Sequence, residues 1–462
     1  MAQVATVGID IGTTSVKAVA VDDDGHVLAS ARIAHPLIAG SADELAHDAD
    51  LAWRHGVLAA LDQVASAGQA GAGIEIAAVN VAAMVPSLCA VDANGIPISP
   101  GLLYGDGRGA HPDPTAGADP SSSGELVRFL AHLAIEHPDA AGFWPAQGVA
   151  NAALSGIGAI DSVCAMTTLP LFDFTGWDPV VAASAGVTDT ARLPRIVSGA
   201  DAVGRVTHSS SPGALLGGGT IDAFAEQLVA GADHDGDVLV ILGATLITWA
   251  VIPEWVEVPG LWTVPHTAPG KILIGGPSNA GGLFMNWAQE MCGVDRVASH
   301  DLSATLDPGR VPVWQPYLRG ERVPLHDPSR RASLHHLDIG MGPDHAMRAA
   351  YETSGFAVRH QLDLAGLSPK RIVATGGGTR NAEWIAALAD ASGLEVHCVG
   401  VAEGGALGAA YLARVTAGLE SNAADAGRWA STRQVVEPDP RWQRDTADRY
   451  AVYRLLADAE TP

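Results

Sequence analysis

Three stretches of this chain set groups that could act on a phosphate beside glycines. In "VGIDIGTTSVKAVAVDDDG", beginning at Val7, an acid, a glycine and three hydroxyl residues lie between two runs that alternate like strands. A hairpin turn rich in Gly, Thr and Ser aims several N–H groups and hydroxyls at one anion, because Gly12 has no side chain to block close approach. Asp10, at the strand end, would repel a phosphate directly, yet it can hold a magnesium ion or that ion's water shell beside one. Lys17 sits on the second strand, within reach of the same anion, in a chain with only two other lysines, Lys271 and Lys370. An ordinary hairpin with a polar turn has the same pattern.

The second stretch, "GGGTIDAFAEQL", places Asp222 at a helix start. Asp is a common N-cap there, and capping is the bland reading. The alternative is chemical: the carboxylate accepts a hydroxyl proton as that oxygen attacks phosphorus. The third, "GGGTRN", follows a strand and opens a helix, which suits close approach of a planar or phosphorylated ligand to backbone. It lacks the third glycine of the GxGxxG spacing, so a dinucleotide site ranks below nucleotide binding of another kind. The 17 histidines show no HExxH or similar spacing, and metal ligation by His is not expected.

These groups need elements to position them. Val4 to Asp10, Val16 to Asp22 and His26 to Ile33 read as a three-stranded antiparallel meander, followed by a helix near "DADLAWRHGVLAALDQVASAG" and a strand at "IEIAAVNVAA". The segment from His111 to Ser123, rich in Pro, Ser, Asp and Gly, reads as a surface loop. The opening scheme returns faintly at "VLVILG", a small-residue turn and "LITWAVI". This segment is too short to span a bilayer and reads as buried sheet. At 462 residues the chain exceeds what one core usually serves. Two α/β domains are expected, 1–216 and 217–462, with "EGGALGAAYLARVTAG" as a close-packing helix and "RWQRDTADRYAVYRLLADA" as an amphipathic closing helix.

Acidic residues outnumber basic ones, 51 to 27, for a formal charge of -24, which argues against nucleic acid or an anionic membrane as partner. The four cysteines, Cys89, Cys164, Cys292 and Cys398, form no CxxC pair and read as thiols of a reducing compartment; with no signal-peptide pattern at the start, the cytoplasm is expected.

Taken in order, "GIDIGTTSVKAVAVD", "LLYGDGRG", "GGGTIDAFAEQLVAGA", "PYLRGERVPLHDPSRRA", "ATGGGTRNAEWIAALAD" and "EGGALGAAYLA" resemble the FGGY family of carbohydrate kinases over nearly the whole chain. The resemblance implies two actin-like (ribonuclease H-like) domains flanking a central ATP and sugar cleft, the N-terminal one mainly sugar-binding and the C-terminal one mainly ATP-binding. It implies an ATP- and Mg2+-dependent kinase acting on a hydroxyl of a small sugar, a ketose such as xylulose or ribulose, or a polyol. Homodimers are that family's common habit.

Carried over residue by residue, the family pattern makes Asp222 the general base and sets Asp10 toward magnesium, directly or through water. Gly12, Thr13, Thr14 and Lys17 serve the first phosphate loop, and Gly243 and Thr245 the second. Gly282, Gly377, Gly378 and Asn381 line the adenosine pocket, while Met84, Tyr104, Asp106 and Arg108 face the sugar. Glu321 and Arg322 fall in "RGERVP", a stretch that either braces the domain or touches ligand. Two departures stand out: Ala244 follows the second-loop glycine where the family often has Thr, and Met84, Val85 and Pro86 replace the Gln-Met-His trio usual in xylulokinases. D-xylulose is therefore not secured as substrate. The rival readings are a weakly active or non-catalytic sugar or nucleotide binder, an actin-like ATPase, and a dehydrogenase.

Overall fold

The computed structural model describes residues 3–39, 44–70, 73–104, 106–108, 125–266, 270–294, 302–400 and 403–459. The segment 111–123 lies outside them. The chain forms two compact units, one of Met1–Val229 with Glu403–Trp429, the other of Ala230–Ala402 with Ala430–Pro462.

In the first unit β1 (Gln3–Ile11), β2 (Ser15–Val21) and β3 (Val27–Ala34) form the antiparallel meander, each within a residue of its sequence-based bounds. Helix α1 (Gly56–Ala70) packs on β2 and β3. Strand β4 (Ile74–Ala83) then pairs parallel to β1 on the side away from β2. Strands covered on both faces read as apolar runs rather than alternations, and β1 from Ala5 to Ile11 is buried throughout. Helix α2 (Ala146–Ser155) precedes two short strands, β5 (Leu215–Leu216) and β6 (Thr220–Ile221), both parallel to β4. Helix α3 (Asp222–Ala230) follows directly.

The pairing of β6 with β4 carries the chain past Leu216 within the first unit, so the division falls at Val229/Ala230 instead of near Leu216. Two-residue strands broken by a glycine run leave no periodicity to read.

The second unit repeats the plan. Strands β7 (Asp237–Leu242), β8 (Leu246–Ile252), β9 (Trp262–Pro265) and β10 (Ile272–Ser278) precede α4 (Gly282–Cys292) and the long α5 (Pro343–Leu364). Strand β11 (Arg371–Thr375), helix α6 (Ala382–Ser392) and strand β12 (Val396–Val399) follow. β7 and β8 are antiparallel, β8 pairs antiparallel with β10, and β11 joins β7 in parallel. In each sheet an antiparallel meander therefore continues into parallel strands beside its first member. The apolar segment beginning at Val238 is the β7–β8 hairpin, as read from the sequence.

Helix α7 (Gly404–Thr416) returns to the first unit and packs on β1 and β4, with the Thr6 hydroxyl donating to the Ala410 carbonyl at 3.0 Å. The closing helix α8 (Pro440–Asp458) buries Trp442, Tyr450 and Tyr453 in the second unit. Among the described residues no helix is long and apolar enough to cross a membrane.

Candidate active site

Strand register brings the first candidates together. On β4, Ala82 pairs with Asp10 of β1 on one side and with Thr220 of β6 on the other. Two inter-strand spacings, about 10 Å, therefore separate the backbones at 10 and 220. Asp222 begins α3 two residues later, its Oδ1 accepting the Ala223 amide at 2.7 Å. Its pKa is pushed up to about 6, chiefly by burial and then by the negative charge of Asp10. Asp10, 5% exposed, lies opposite Lys17 in the β1–β2 register, with Lys17 Nζ 3.5 Å from its Oδ2. Burial raises the Asp10 pKa, and Lys17 opposes that rise. Gly405 covers the acid: a Cβ there would lie 2.9 Å from Asp10 Cγ.

The turn Gly12–Thr14 links β1 to β2 and closes with the Gly12 amide donating to the Ser15 carbonyl at 3.1 Å. It is braced from below. Trp53 Nε1–H donates to His47 Nδ1 at 3.0 Å, so that nitrogen is an acceptor and the ring hydrogen resides on Nε2, which donates to the Thr13 carbonyl at 2.8 Å. His47 is fully buried and stays neutral, its pKa lowered to about 4, mainly by burial. Thr13 Oγ1 lies 3.4 Å from the Tyr104 hydroxyl, which joins the turn to the segment after Leu103. Asp106 accepts from the Leu45 amide at 2.8 Å, the Arg108 amide at 2.9 Å and Arg108 Nη2 at 2.7 Å. Burial pushes its carboxyl up, but the bonds and charge of Arg108 and the Leu45 amide outweigh this and hold it below the usual range. Asp106 thus orients Arg108. Met84 is 2% exposed and packs within the core of the first unit.

In the second unit the β7–β8 turn repeats the first, with the Gly243 amide donating to the Thr245 carbonyl at 3.1 Å. The start of α4 seats on it: the Gly282 amide donates to the Gly243 carbonyl and the Leu283 amide to the Ala244 carbonyl, each at 2.9 Å. Because Ile241 pairs with Thr375, the turn containing Gly377 and Gly378 emerges beside Gly243–Thr245 at the same sheet edge. Asn381 caps α6 through the Trp384 amide at 3.1 Å and donates to the Tyr351 hydroxyl at 3.0 Å. Glu321 accepts from the Ser278 hydroxyl and the Asn279 amide, both at 2.8 Å, and the Arg322 amide at 2.7 Å. It braces this unit, with burial raising its pKa to about 7.

The model of the FGGY carbohydrate kinase N-terminal domain matches residues 5–112, and that of the C-terminal domain matches residues 238–417. The chain belongs to the FGGY family of carbohydrate kinases. A xylulose kinase of Klebsiella pneumoniae is 26% identical over 469 residues, covering 94% of this chain and 95% of the relative. Ligand-bound xylulose kinase from Lactobacillus acidophilus shares the fold with a TM-score of 0.84 at 20% identity, covering 98% of this chain and 97% of that one. Gluconate kinase from the same organism has a TM-score of 0.83 at 19% identity, covering 99% of each. As an FGGY kinase, the protein is a sugar kinase that uses ATP as co-substrate, and its two units are actin-like domains.

Sequence reasoning about this FGGY kinase missed Glu226. It stands one helical turn after Asp222, a spacing that places both on one face of α3. Its pKa is raised to about 8 by burial and then by the charges of Asp10 and Asp222, and its buried Oε2 has no hydrogen-bond partner among the described residues. The i, i+4 spacing was the available signal. His47 was missed because nothing in sequence ties residue 47 to a turn at residue 13.

Proposed function

We propose that this FGGY kinase transfers the γ-phosphoryl group of MgATP to a hydroxyl of a small ketose such as xylulose or ribulose, or of a polyol, with Asp222 as general base. The observation carrying this reading is the placement of a partly buried carboxylate with a pKa near 6 at a helix start, within the field of Asp10. A base poised there is ionised at neutral pH and still accepts a proton as the acceptor oxygen bonds to phosphorus. Because a carboxylate is a weak base toward an alcohol, proton transfer is late. Positioning and charge compensation do most of the work in such a transfer.

A divalent cation fits the residues present. The charges of Asp10 and Asp222 act on Glu226, with Lys17 as the neighbouring cation, and Glu226 Oε2 is buried without a partner among the described residues. Asp10 would hold Mg2+, directly or through water, and the ion would neutralise charge on the phosphate oxygens. Lys17 limits the repulsion between Asp10 and an incoming phosphate. Gly12, Thr13 and Thr14 supply amides and hydroxyls to the transferring group, while Tyr104 and Arg108 contact the sugar, Arg108 being held by Asp106.

Gly243 and Thr245 are assigned to the donor's phosphates, and Gly282, Gly377, Gly378 and Asn381 to the adenosine. The buried or partly buried free thiols support a cytoplasmic setting. The relatives' names favour xylulose among ketoses, whereas the apolar Met84-Val85-Pro86 stretch favours a different ketose or a polyol. A coupled ADP-release assay over pentuloses, hexuloses, glycerol and tetritols decides. Acceptor-dependent ADP release is expected for one class; ATP splitting that ignores every acceptor would refute the proposal.

A further inference from the structure

Three buried amide side chains grip the backbone that delivers Asp222. Asn80 on β4 is 3% exposed, and its Oδ1 accepts the Gly219 amide at 2.9 Å as well as the Val81 amide at 2.9 Å. Gln147 and Asn151 are fully buried one turn apart on α2. Gln147 Nε2 donates to the carbonyls of Ala83 and Thr220, each at 3.1 Å. Asn151 Nδ2 donates to the carbonyls of Ala159 at 2.8 Å and Gly218 at 3.1 Å. Residues 218, 219 and 220 are thus each held by a different side chain.

The segment needs such holding. β6 has only two residues, and Gly219 adopts φ +98°, a conformation other residues enter only with strain. A Cβ at 219 would also sit 3.2 Å from Gln147 Cβ and 3.1 Å from the Val81 carbonyl oxygen. The arrangement carries a stability cost, because Gln147 Oε1 and Asn151 Oδ1 are buried without partners among the described residues. An apolar core would fill the same volume without that cost. What the amides add is directional: they tie Gly218–Thr220 to both β4 and α2, and so fix where α3 and its first residue begin.

We infer that Asn80, Gln147 and Asn151 act together as positioning residues for Asp222, setting its carboxylate against the acceptor hydroxyl. The inference rests on the assignment of Asp222 as base. None of the three is required to touch substrate, so their loss acts on turnover rather than on ligand affinity.

The test uses Gln147→Met and Asn151→Leu, which keep volume and remove the donors, alone and combined with Asp222→Asn in the full-length kinase. Circular dichroism first selects the variants that are folded at the assay temperature; should one fail, the other decides. The expected result is a fall in kcat of about 10²-fold with KM for ATP and acceptor within about twofold, since misplacement by about 1 Å can cost that much. The same substitution should cost almost nothing further in the Asp222→Asn background, because both act on one group. A folded variant with parental kcat, or one whose loss is undiminished in the Asp222→Asn background, overturns the inference. If Asp222→Asn itself retains parental turnover, the base assignment falls and this inference with it. Parental turnover in Gln147→Met beside a dead Asp222→Asn removes only the clamp.

Discussion

Asp10 and Thr220 flank the same β4 residue, Ala82, so the first strand of the chain and a two-residue strand more than two hundred positions later end at one sheet edge, on either side of β4. Asp222 leaves that edge with its pKa raised to about 6 by burial and by Asp10, while Lys17 works in the opposite direction. The chemistry proposed for this kinase depends on that balance of charges.

The first prediction concerns pH. Asp222 must be ionised to accept a proton, so kcat/KM should fall as pH drops through about 6, with the midpoint set by the free enzyme. Lys17 lowers the pKa of both acids, so Lys17→Met should move this acidic limb to higher pH. Initial rates from pH 5 to 9 in both proteins check the direction; an unmoved limb would detach Lys17 from the base.

Glu226 makes a separate claim on stability. Its folded-state pKa, about 8, lies far above the ordinary value of 4.5, so the folded protein binds this proton more tightly than the unfolded chain. The resulting stabilisation is complete below about 4.5 and is lost as pH rises through about 8. Glu226→Gln, which copies the protonated form, should therefore raise the melting temperature of metal-free protein at pH 9 and leave it nearly unchanged at pH 5. The same variant should need more Mg2+ to reach half-maximal protection against melting in the presence of ADP.

How much of this was legible in sequence depends on the range of the interaction. The hairpin turns at 12–14 and 243–245 and the helix-start acid at 222 are local patterns, readable because each uses neighbouring residues. The repeat of the meander was visible for the same reason. Glu321 allowed two roles from sequence; its three donors at Ser278, Asn279 and Arg322 show the bracing one. Asn80, Gln147 and Asn151 carried no signal, since a buried amide and a surface amide look alike until the 218–220 backbone is folded against them. Met84, which directly follows β4, is 2% exposed and packed in the core of the first unit, a placement its sequence neighbours do not reveal.

His47 offers a structural test of the first turn. His47→Leu would leave the Trp53 N–H and the Thr13 carbonyl without their buried partner, at about 1–3 kcal/mol each. At roughly 2–4 °C per kcal/mol for a unit of this size, the melting temperature of the first unit should drop by about 4–24 °C. Differential scanning calorimetry reads the shift directly; a change below about 1 °C would mean that the brace contributes nothing.

Ala244 occupies an exposed turn tip, so restoring a hydroxyl there should not disturb packing. A hydrogen bond to a charged phosphate oxygen is worth about 1.5–3 kcal/mol, so Ala244→Thr should raise kcat/KM for ATP by roughly tenfold or more at unchanged melting temperature. Equal kcat/KM in the two proteins would show that Thr245 or backbone amides already fill that place.

The most direct test of the central claim is acceptor-dependent ADP release by Asp222→Asn against the parent, with nucleotide affinity measured in parallel by calorimetry. General base catalysis contributes about 10²–10⁴-fold, so turnover should fall by at least that factor while ADP binds within about twofold of the parent. Turnover near the parental value in that variant would contradict the account.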